Sequence, residues 1–523
     1  MDSTSHDQKR EKNRKALLVI MDGFGLADPN QPGNAITPET APHIFALMET
    51  YPTAKLDSHG VAVGLPEHQE GNSEAGHLNI GAGRLVKQDV SVVSDAIVDG
   101  TFFKNPAFAV AKERAQKGGR VHIMGLLTGI HSAHTLSEHL YSLLKYFRDA
   151  GIHDTHLHLF TDGRDSSQHS AISHLTELRK HMQNGEKIAT IMGRFYGMDR
   201  NKSWKRTKLA YDVLVGDAEH ACADTAEQAI QSAYNRDETD EYISPTCIEG
   251  GARIQDGDVV LFFNARSDRA RQLTKAFLQP DFVEKNPHAF ERKTVVKDLC
   301  FVAMSEFGPD LPHIHTAFPS PDIDWCLAKA IGEQYQQLYL SETEKYAHVT
   351  YFINGGYPEP INGEDRVLVK STGVKSYAEN PEMQTPKLAK DIIYSFDNGS
   401  YDFVCVNFPN ADMVGHTGDF EAAKKAVQIL DDTVHALAEY IEEHNGIMVI
   451  TADHGNAEKM INEKTKEKMT AHTDNPVPMI VVDLAKKDAT IQPTGTLADV
   501  APTLLALMGC DIPPQMTGKN LFQ

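Results

Sequence analysis

Short, continuous apolar runs alternate along this chain with longer stretches whose apolar residues recur every three or four positions. Ala16-Leu17-Leu18-Val19-Ile20-Met21 carries no polar position, as expected of a strand covered on both faces of a parallel sheet. The same pattern predicts strands over Val121–Leu127, His156–Phe160, Ile188–Met192, Val259–Phe263, Val295–Met304, Gln337–Leu340, Phe403–Phe408 and Ile447–Ile450. Helical spacing predicts helices over Thr40–Thr50, Thr135–Ala150, Ala171–Met182, Lys208–Val215, Thr225–Tyr234, Asp268–Phe277, Ile323–Ile331, Phe420–His444 and Ala498–Met508. The clearest is Phe420–His444, where Val427, Leu430, Val434, Leu437 and Ile441 form one stripe and Asn445-Gly446 supplies a C-cap. Strands alternating with helices imply an α/β protein built on parallel sheets. Pro309–Pro321, rich in Pro, His and Asp, reads as a linker between two such regions.

Composition narrows the class. A chain of 523 residues exceeds one ordinary core and implies two or three domains. Hydrophobic residues at 41% and charged residues at 24% describe a soluble globular protein. Lys+Arg 51 against Asp+Glu 72 leaves a net charge of -21, which argues against nucleic acid or an acidic membrane as partner. Clustered cations in such a chain point instead to a small anionic substrate. Cys222, Cys247, Cys300, Cys326, Cys405 and Cys510 are widely spaced and form no C-x-x-C, so neither a zinc knuckle nor a disulfide framework is expected, and a reducing, cytoplasmic setting fits. Residues 1–14 are polar and charged and are predicted to be a disordered tail, not a secretory signal. The longest apolar runs are far too short to span a bilayer.

Candidate chemistry gathers in the loops that follow the predicted strands. Gly71-Asn72-Ser73-Glu74-Ala75-Gly76-His77 places one serine among small residues where a helix can begin, and a helix N-terminus welcomes an anion. Serine alone is a poor nucleophile and needs a base or a metal to hold its alkoxide; taken alone, the stretch is equally an ordinary glycine-rich turn. Asp22, Asp412 with His416, Asp453 with His454, and His472 are carboxylates and imidazoles without cysteine, a set suited to Mn²⁺, Zn²⁺ or Co²⁺ in a catalytic site. Each alone has an ordinary reading, as a turn aspartate or a surface histidine. Together they can meet at one sheet edge, where two ions can hold a phosphoryl group and ionise Ser73. The middle of the chain supplies His131, Arg164, Arg194, Arg200, Arg266 and Arg269, and guanidinium grips carboxylate or phosphate with paired bonds. Arg266 and Arg269 are expected to open a helix, where they oppose its dipole unless an anion binds. Asp165 is either a general base or a turn residue.

The ordered set Asp22-Gly23-Phe24-Gly25, Gly71-Asn72-Ser73-Glu74, Asp412-Met413-Val414-Gly415-His416, Asp453-His454-Gly455-Asn456-Ala457-Glu458 and His472-Thr473 resembles one known family. So do Asp162-Gly163-Arg164-Asp165, Gly193-Arg194-Phe195-Tyr196, Phe263-Asn264 and Ser341-Glu342-Thr343-Glu344-Lys345. The family is that of the cofactor-independent (2,3-bisphosphoglycerate-independent) phosphoglycerate mutases, in the alkaline phosphatase superfamily. The resemblance implies a discontinuous phosphatase-like domain, residues 15–90 and 313–523, with a transferase domain inserted at 91–312. It implies that Ser73 is phosphorylated and that 3-phosphoglycerate and 2-phosphoglycerate are interconverted without 2,3-bisphosphoglycerate. It further implies two Mn²⁺, with Co²⁺, Mg²⁺ or Zn²⁺ as substitutes. One ion would be held by Asp22, Ser73, Asp453 and His454, the other by Asp412, His416 and His472. Lys345 would steady the phosphoryl group. His131, Arg164, Asp165, Arg194, Arg200, Arg266 and Arg269 would bind substrate, with Asp165 also moving protons. A cytoplasmic monomer is implied as well. The chain departs from the family at Leu126-Leu127-Thr128-Gly129-Ile130, which lacks the usual Ser-Asp-Gly-Gly-Val before His131, and at Phe408-Pro409-Asn410-Ala411 before Asp412. Another phosphomutase or a phosphomonoesterase of the same superfamily is the alternative, and a catalytically inactive scaffold would be expected to lack one of these groups.

Overall fold

The computed structural model describes residues 14–130, 132–217, 222–320, 322–462 and 465–523. The chain divides into two compact units, Met1–Gln88 with Asp322–Gln523, and Asp89–Pro321. Each is built on an eight-stranded sheet.

In the first unit the sheet order is Asp365–Val369, Gln337–Glu342, Phe403–Phe408, Ala16–Met21, Ile447–Thr451, Val477–Val482, Thr53–Asp57 and Thr494–Thr496. The first five run parallel, and Val477–Val482 is antiparallel to Ile447–Thr451. Ala16–Met21 is buried at every position, which is why its sequence shows no alternation. Ile20 lies opposite both Asn407 and Thr451, so the chain leaves three neighbouring strands at one edge. Asp22, Asp412 and Asp453 follow those ends. His472 reaches the same edge differently: it precedes Val477–Val482, and an antiparallel strand begins where its neighbours end. The long helix Phe420–Glu443 buries Val427, Leu430, Val434, Leu437 and Ile441. From it the buried Asp431 accepts the backbone N–H groups of His43 and Ile44, capping the helix Pro42–Thr50, whose own N-cap residue is Ala41.

In the second unit the order is Ile314–Thr316, Cys300–Ala303, Val259–Phe262, Val121–Leu127, Thr155–Thr161, Lys187–Gly193, Thr246–Ile248 and Cys222–Ala223. Three expectations are corrected here. Ile314–Thr316 pairs in parallel with Cys300–Ala303, so the stretch taken as a linker belongs to this sheet and the unit runs past residue 312 to 321. Cys222 and Cys247 are register partners on adjacent strands, their Cα atoms 4.5 Å apart, and form a disulfide. The pairing is created by the sheet and leaves no trace in spacing. The helix predicted over Asp268–Phe277 starts at Arg271, so Arg266 and Arg269 lie in the turn ahead of it and do not open it. Helices Asp89–Asp99 and Pro106–Gln116 are additional to the predicted elements. Of the predicted tail, residues 1–13 lie outside the described residues. Arg14 is held by Asp483 at 2.6 Å and by the carbonyls of Asn445 and Gly446.

A polar chain crosses the interior of this second sheet. Thr190 Oγ1 lies 3.0 Å from His158 Nδ1, His158 Nε2 lies 2.9 Å from His122 Nδ1, and His122 Nε2 lies 3.1 Å from Asp258 Oδ2. Neutral imidazoles satisfy every contact when each donates through Nε2 and accepts at Nδ1. Burial holds both histidines below the ordinary imidazole value of 6.5. The unfolded chain therefore binds more protons than the folded one below pH 6.5, and stability falls as pH drops through that value. The urea midpoint of this unit is expected to decline between pH 7.5 and pH 5, and His158→Gln with Thr190 intact should flatten the decline. A midpoint independent of pH over that range would remove the polar chain as a determinant.

Candidate functional site

Two sets of side chains stand out, one in each unit. In the first, Ser73 is the opening residue of the helix Ser73–Ala82, with Asn72 capping it by accepting the Ala75 N–H. Ser73 Oγ lies 2.7 Å from Lys345 Nζ, 2.9 Å from His454 Nε2 and 3.4 Å from Asp22 Oδ1. Lys345 Nζ also donates to Asp22 Oδ1 and Asp412 Oδ2, each at 2.7 Å. The serine hydroxyl is thus held at a dipole's positive end against a buried ammonium.

The carboxylates outnumber the cations. Asp22, Asp412 and Asp453 are buried, and Lys345 is the buried lysine among them. Burial together with the charge of Asp453 pushes Asp22 up to about 7 despite Lys345. Burial works to raise Asp412 too, but Lys345 and the hydrogen bonds from His416 and His472 hold it well below the usual carboxylate range. Burial lowers His454 to about 3, so it stands as neutral imidazole. Asp453 Oδ2 is buried with no hydrogen-bond partner among the described residues. Such an excess of buried negative charge is costly without further cations.

The donor geometry fits metal ions. His416 Nδ1 meets the Thr470 carbonyl at 2.6 Å and His472 Nδ1 meets the Gly71 carbonyl at 2.8 Å. Each ring so oriented presents Nε2 inward, the usual way a ligating histidine is fixed. The two Nε2 atoms are 3.1 Å apart, and they lie 3.1 and 3.2 Å from Asp412 Oδ1. Those separations are close to the edge, about 3.3 Å, of a tetrahedron of ligands around a zinc-like ion. His454 Nε2 lies 3.5 Å from Asp22 Oδ1 and 3.4 Å from Asp453 Oδ2, with Ser73 beside it. Asp412, His454 and His472 also come within 4.8 Å of one another, so His454 borders both ligand groups. All seven residues expected as ligands are gathered at one sheet edge.

Buried residues that motif reading passed over complete this site. His77 lies 3.2 Å from Asp453 Oδ2, yet its nitrogens are used within the protein: Nδ1 at 2.8 Å from the Ser73 carbonyl, Nε2 at 3.0 Å from Asn407 Nδ2. It is a support for ligands more than a ligand. Asn407 donates to Asp22 Oδ2 at 2.7 Å and Asn456 to Asp412 Oδ1 at 3.0 Å. Asn456 stands two residues after His454 and Asn407 at the end of its strand, but an amide has no ligand chemistry to single it out.

In the second unit Arg194, fully buried, pairs with Asp162 at 2.5 Å and Asp165 at 3.0 Å. Asp165 also accepts from Ser132 Oγ at 2.7 Å. Asp268 joins Arg200 at 2.5 Å and Arg266 at 3.0 Å. Arg269 donates to the Met198 carbonyl at 3.4 Å; burial and the charges of Arg194 and Arg200 lower it to about 10. Arg164 is more than half exposed and 3.8 Å from Glu241, at the margin of this set. His131 lies outside the described residues. The histidine that lines the cluster is His134, buried, its Nδ1 unpartnered among the described residues. Burial, Arg194 and Arg266 lower His134 to about 3. Arg194 Nε is likewise buried and unpartnered. A crowded guanidinium set with a buried, unused donor has the chemistry to hold an anion.

A family profile described as "Metalloenzyme superfamily" matches residues 14–512. A 2,3-bisphosphoglycerate-independent phosphoglycerate mutase 1 of Methanosarcina acetivorans is 43% identical over 98% of this chain and 99% of its own length. The chain belongs to the 2,3-bisphosphoglycerate-independent phosphoglycerate mutases, isomerases within the metalloenzyme superfamily. A 2,3-bisphosphoglycerate-independent phosphoglycerate mutase of Clostridium beijerinckii is 42% identical over 97% of this chain and 99% of its own length. The crystal structure of Leishmania mexicana phosphoglycerate mutase at low cobalt concentration matches with a TM-score of 0.77 and 29% identity, covering 97% of each chain. Family membership accounts for two α/β units and for a divalent-metal requirement.

Proposed function

We propose that the chain interconverts 3-phosphoglycerate and 2-phosphoglycerate through a phosphoserine at Ser73, without 2,3-bisphosphoglycerate. The observation that carries this reading is the position of Ser73 Oγ, 2.7 Å from Lys345 Nζ and 2.9 Å from His454 Nε2, beside two groups of inward-facing metal ligands. Two Mn²⁺ would be held, one by Asp22, Ser73, Asp453 and His454, the other by Asp412, His416 and His472. Bound divalent ions supply charge that stabilises a serine alkoxide and the oxygens of a phosphoryl group.

The chain's own groups divide the remaining work. Ser73 Oγ forms a bond to phosphorus as the substrate's ester oxygen leaves and takes up a proton. Lys345, its ammonium kept charged because Asp22, Asp412 and Asp453 outweigh the effect of burial, balances charge on the phosphoryl group. Arg194, Arg200, Arg266 and Arg269 would hold carboxylate and phosphate, with Arg164 and His134 beside them. The other hydroxyl of glycerate then attacks phosphorus, its proton passing to Asp165 beside Arg194, as the Ser73 Oγ–phosphorus bond breaks and the serine is regenerated. A cytoplasmic monomer belongs to the same reading.

The test is a coupled assay for 2-phosphoglycerate from 3-phosphoglycerate with no 2,3-bisphosphoglycerate added. Chelated protein should be inactive and Mn²⁺ should restore it. Protons compete for the ligands, because Asp22 is raised to about 7 and Asp412 outweighs burial to raise His416. Apparent Mn²⁺ affinity should therefore fall below pH 7, by about tenfold per pH unit for each proton displaced. Release of free phosphate with no 2-phosphoglycerate would support the phosphomonoesterase alternative and end the mutase reading.

A further inference from the structure

Glu458 is wholly buried among the loops that carry the proposed ligands, and among the described residues none of its hydrogen bonds goes to a ligand side chain. Its carboxylate accepts four hydrogen bonds. Oε2 takes the backbone N–H groups of Gly25 at 3.1 Å and Asn456 at 2.8 Å. Oε1 takes Asn475 Nδ2 at 2.9 Å and the Thr473 hydroxyl. These four donors come from three different loops, and each loop carries ligands: Gly25 follows Asp22, Asn456 follows Asp453 and His454, and Thr473 and Asn475 follow His472. Asn456 extends the set by donating to Asp412 Oδ1.

The glycines of the same loops are explained by this carboxylate. A Cβ on Gly25 would lie 2.3 Å from Glu458 Cδ, and one on Gly455 would lie 2.3 Å from Thr473 Oγ1 and 2.4 Å from Glu458 Oε1. Neither glycine has a positive φ, so Gly25 is needed for the close approach of Glu458, and Gly455 for that of the Thr473–Glu458 pair, and not for their backbone conformation. The backbone tie between Gly455 and Thr473 runs across the same point, with the Thr473 N–H donating to the Gly455 carbonyl at 3.0 Å.

We propose that Glu458 is a positioning residue that holds the loops of Asp22, Asp453-His454 and His472 in register, so that the ligands of both ions are pre-arranged. The inference rests on the metal-centre reading above. An acceptor-only side chain is what four converging donors require. Removing it leaves those donors buried and unpaired and frees three loops to relax independently.

The experiment compares the full-length wild type with Glu458→Ala and Glu458→Gln. Each is stripped of metal and titrated with Mn²⁺, with bound metal measured after equilibrium dialysis, and each is loaded with Co²⁺ for visible absorption spectra. Glu458→Ala should bind Mn²⁺ about 10–100-fold more weakly and show an altered Co²⁺ spectrum, while circular dichroism reports an unchanged fold. Glu458→Gln should stay within about threefold of wild type: its carbonyl can serve the fixed Gly25 and Asn456 N–H groups, and its amide can face the Thr473 hydroxyl and Asn475 side chain, which can turn to accept. If Glu458→Ala does not fold, Glu458→Asp decides in its place, since a carboxylate shortened by one methylene cannot span the loops and should lose affinity alike. Wild-type affinity and spectrum in the folded alanine or aspartate variant would overturn the inference. Equal loss in glutamine and alanine variants would also overturn it, by showing that charge and not bonding carries the effect. A wild type that binds no divalent ion would instead defeat the metal-centre reading itself.

Discussion

Ser73→Ala is expected to lower mutase turnover by a factor on the order of 10⁴ or more while leaving the fold in place. The Lys345 ammonium, the His454 imidazole and the Asp22 carboxylate converge on the Ser73 hydroxyl. On the proposed mechanism, an alanine there removes the oxygen that carries phosphorus between its two positions. The helix does not depend on Ser73 for its cap, because Asn72 accepts the Ala75 N–H. The measurement pairs the coupled assay with a search for phosphorylated protein by intact-mass spectrometry after rapid acid quench with 3-phosphoglycerate. Wild type should gain one phosphoryl group and the variant none. A variant with near-normal turnover would refute the nucleophile assignment. A fully active wild type that never carries phosphate would favour direct transfer.

Arg194→Ala is expected to be damaging in two separable ways. Arg194 bridges Asp162, itself buried, and Asp165. Burial tends to lower the guanidinium pKa, yet the two carboxylates raise it, so Arg194 is a charge held inside the protein by its partners. Truncating one partner of a buried pair leaves an uncompensated charge and costs about 3–5 kcal/mol. Chemical denaturation should show a loss of that order. The double variant Arg194→Met with Asp162→Asn leaves only the partly exposed Asp165 without its cation and should recover most of the stability. It should not recover 3-phosphoglycerate binding, because the guanidinium, with its buried and unpartnered Nε, is gone in both. A single variant less than about 1 kcal/mol below wild type would contradict the coupling. Recovery of substrate binding in the double variant would reduce Arg194 to a structural role.

The residues of the first site were legible because metal ligands have a restricted chemistry. Asp22, Asp412, His416, Asp453, His454 and His472 are of the few types that bind a borderline divalent ion, and each follows or precedes an apolar strand. Their supports were not legible. Asn407, Asn456, Glu458 and His77 act by hydrogen bonds whose partners are distant in sequence, and nothing local separates them from ordinary polar positions. The cationic site shows the same divide. Four arginines were visible as a cluster by type, whereas His134 emerges only because its loop is pinned to the adjacent strand end, its carbonyl accepting from the Ala265 N–H at 2.8 Å. His131, three residues earlier, satisfies the motif equally well on paper.

By itself the sequence determined the α/β class, because fully apolar runs and three-and-four spacing report burial directly, residue by residue. It determined the chemistry for the same reason: carboxylate, imidazole, hydroxyl and guanidinium are properties of single side chains. Only the tertiary structure decided what pairs with what. The join of Ile314–Thr316 to the second sheet, the meeting of Cys222 with Cys247, and the approach of His472 through an antiparallel strand all depend on strand register. So does the convergence of three loops on Glu458. Register is set by the packing of many residues at once, and no short stretch of chain carries it.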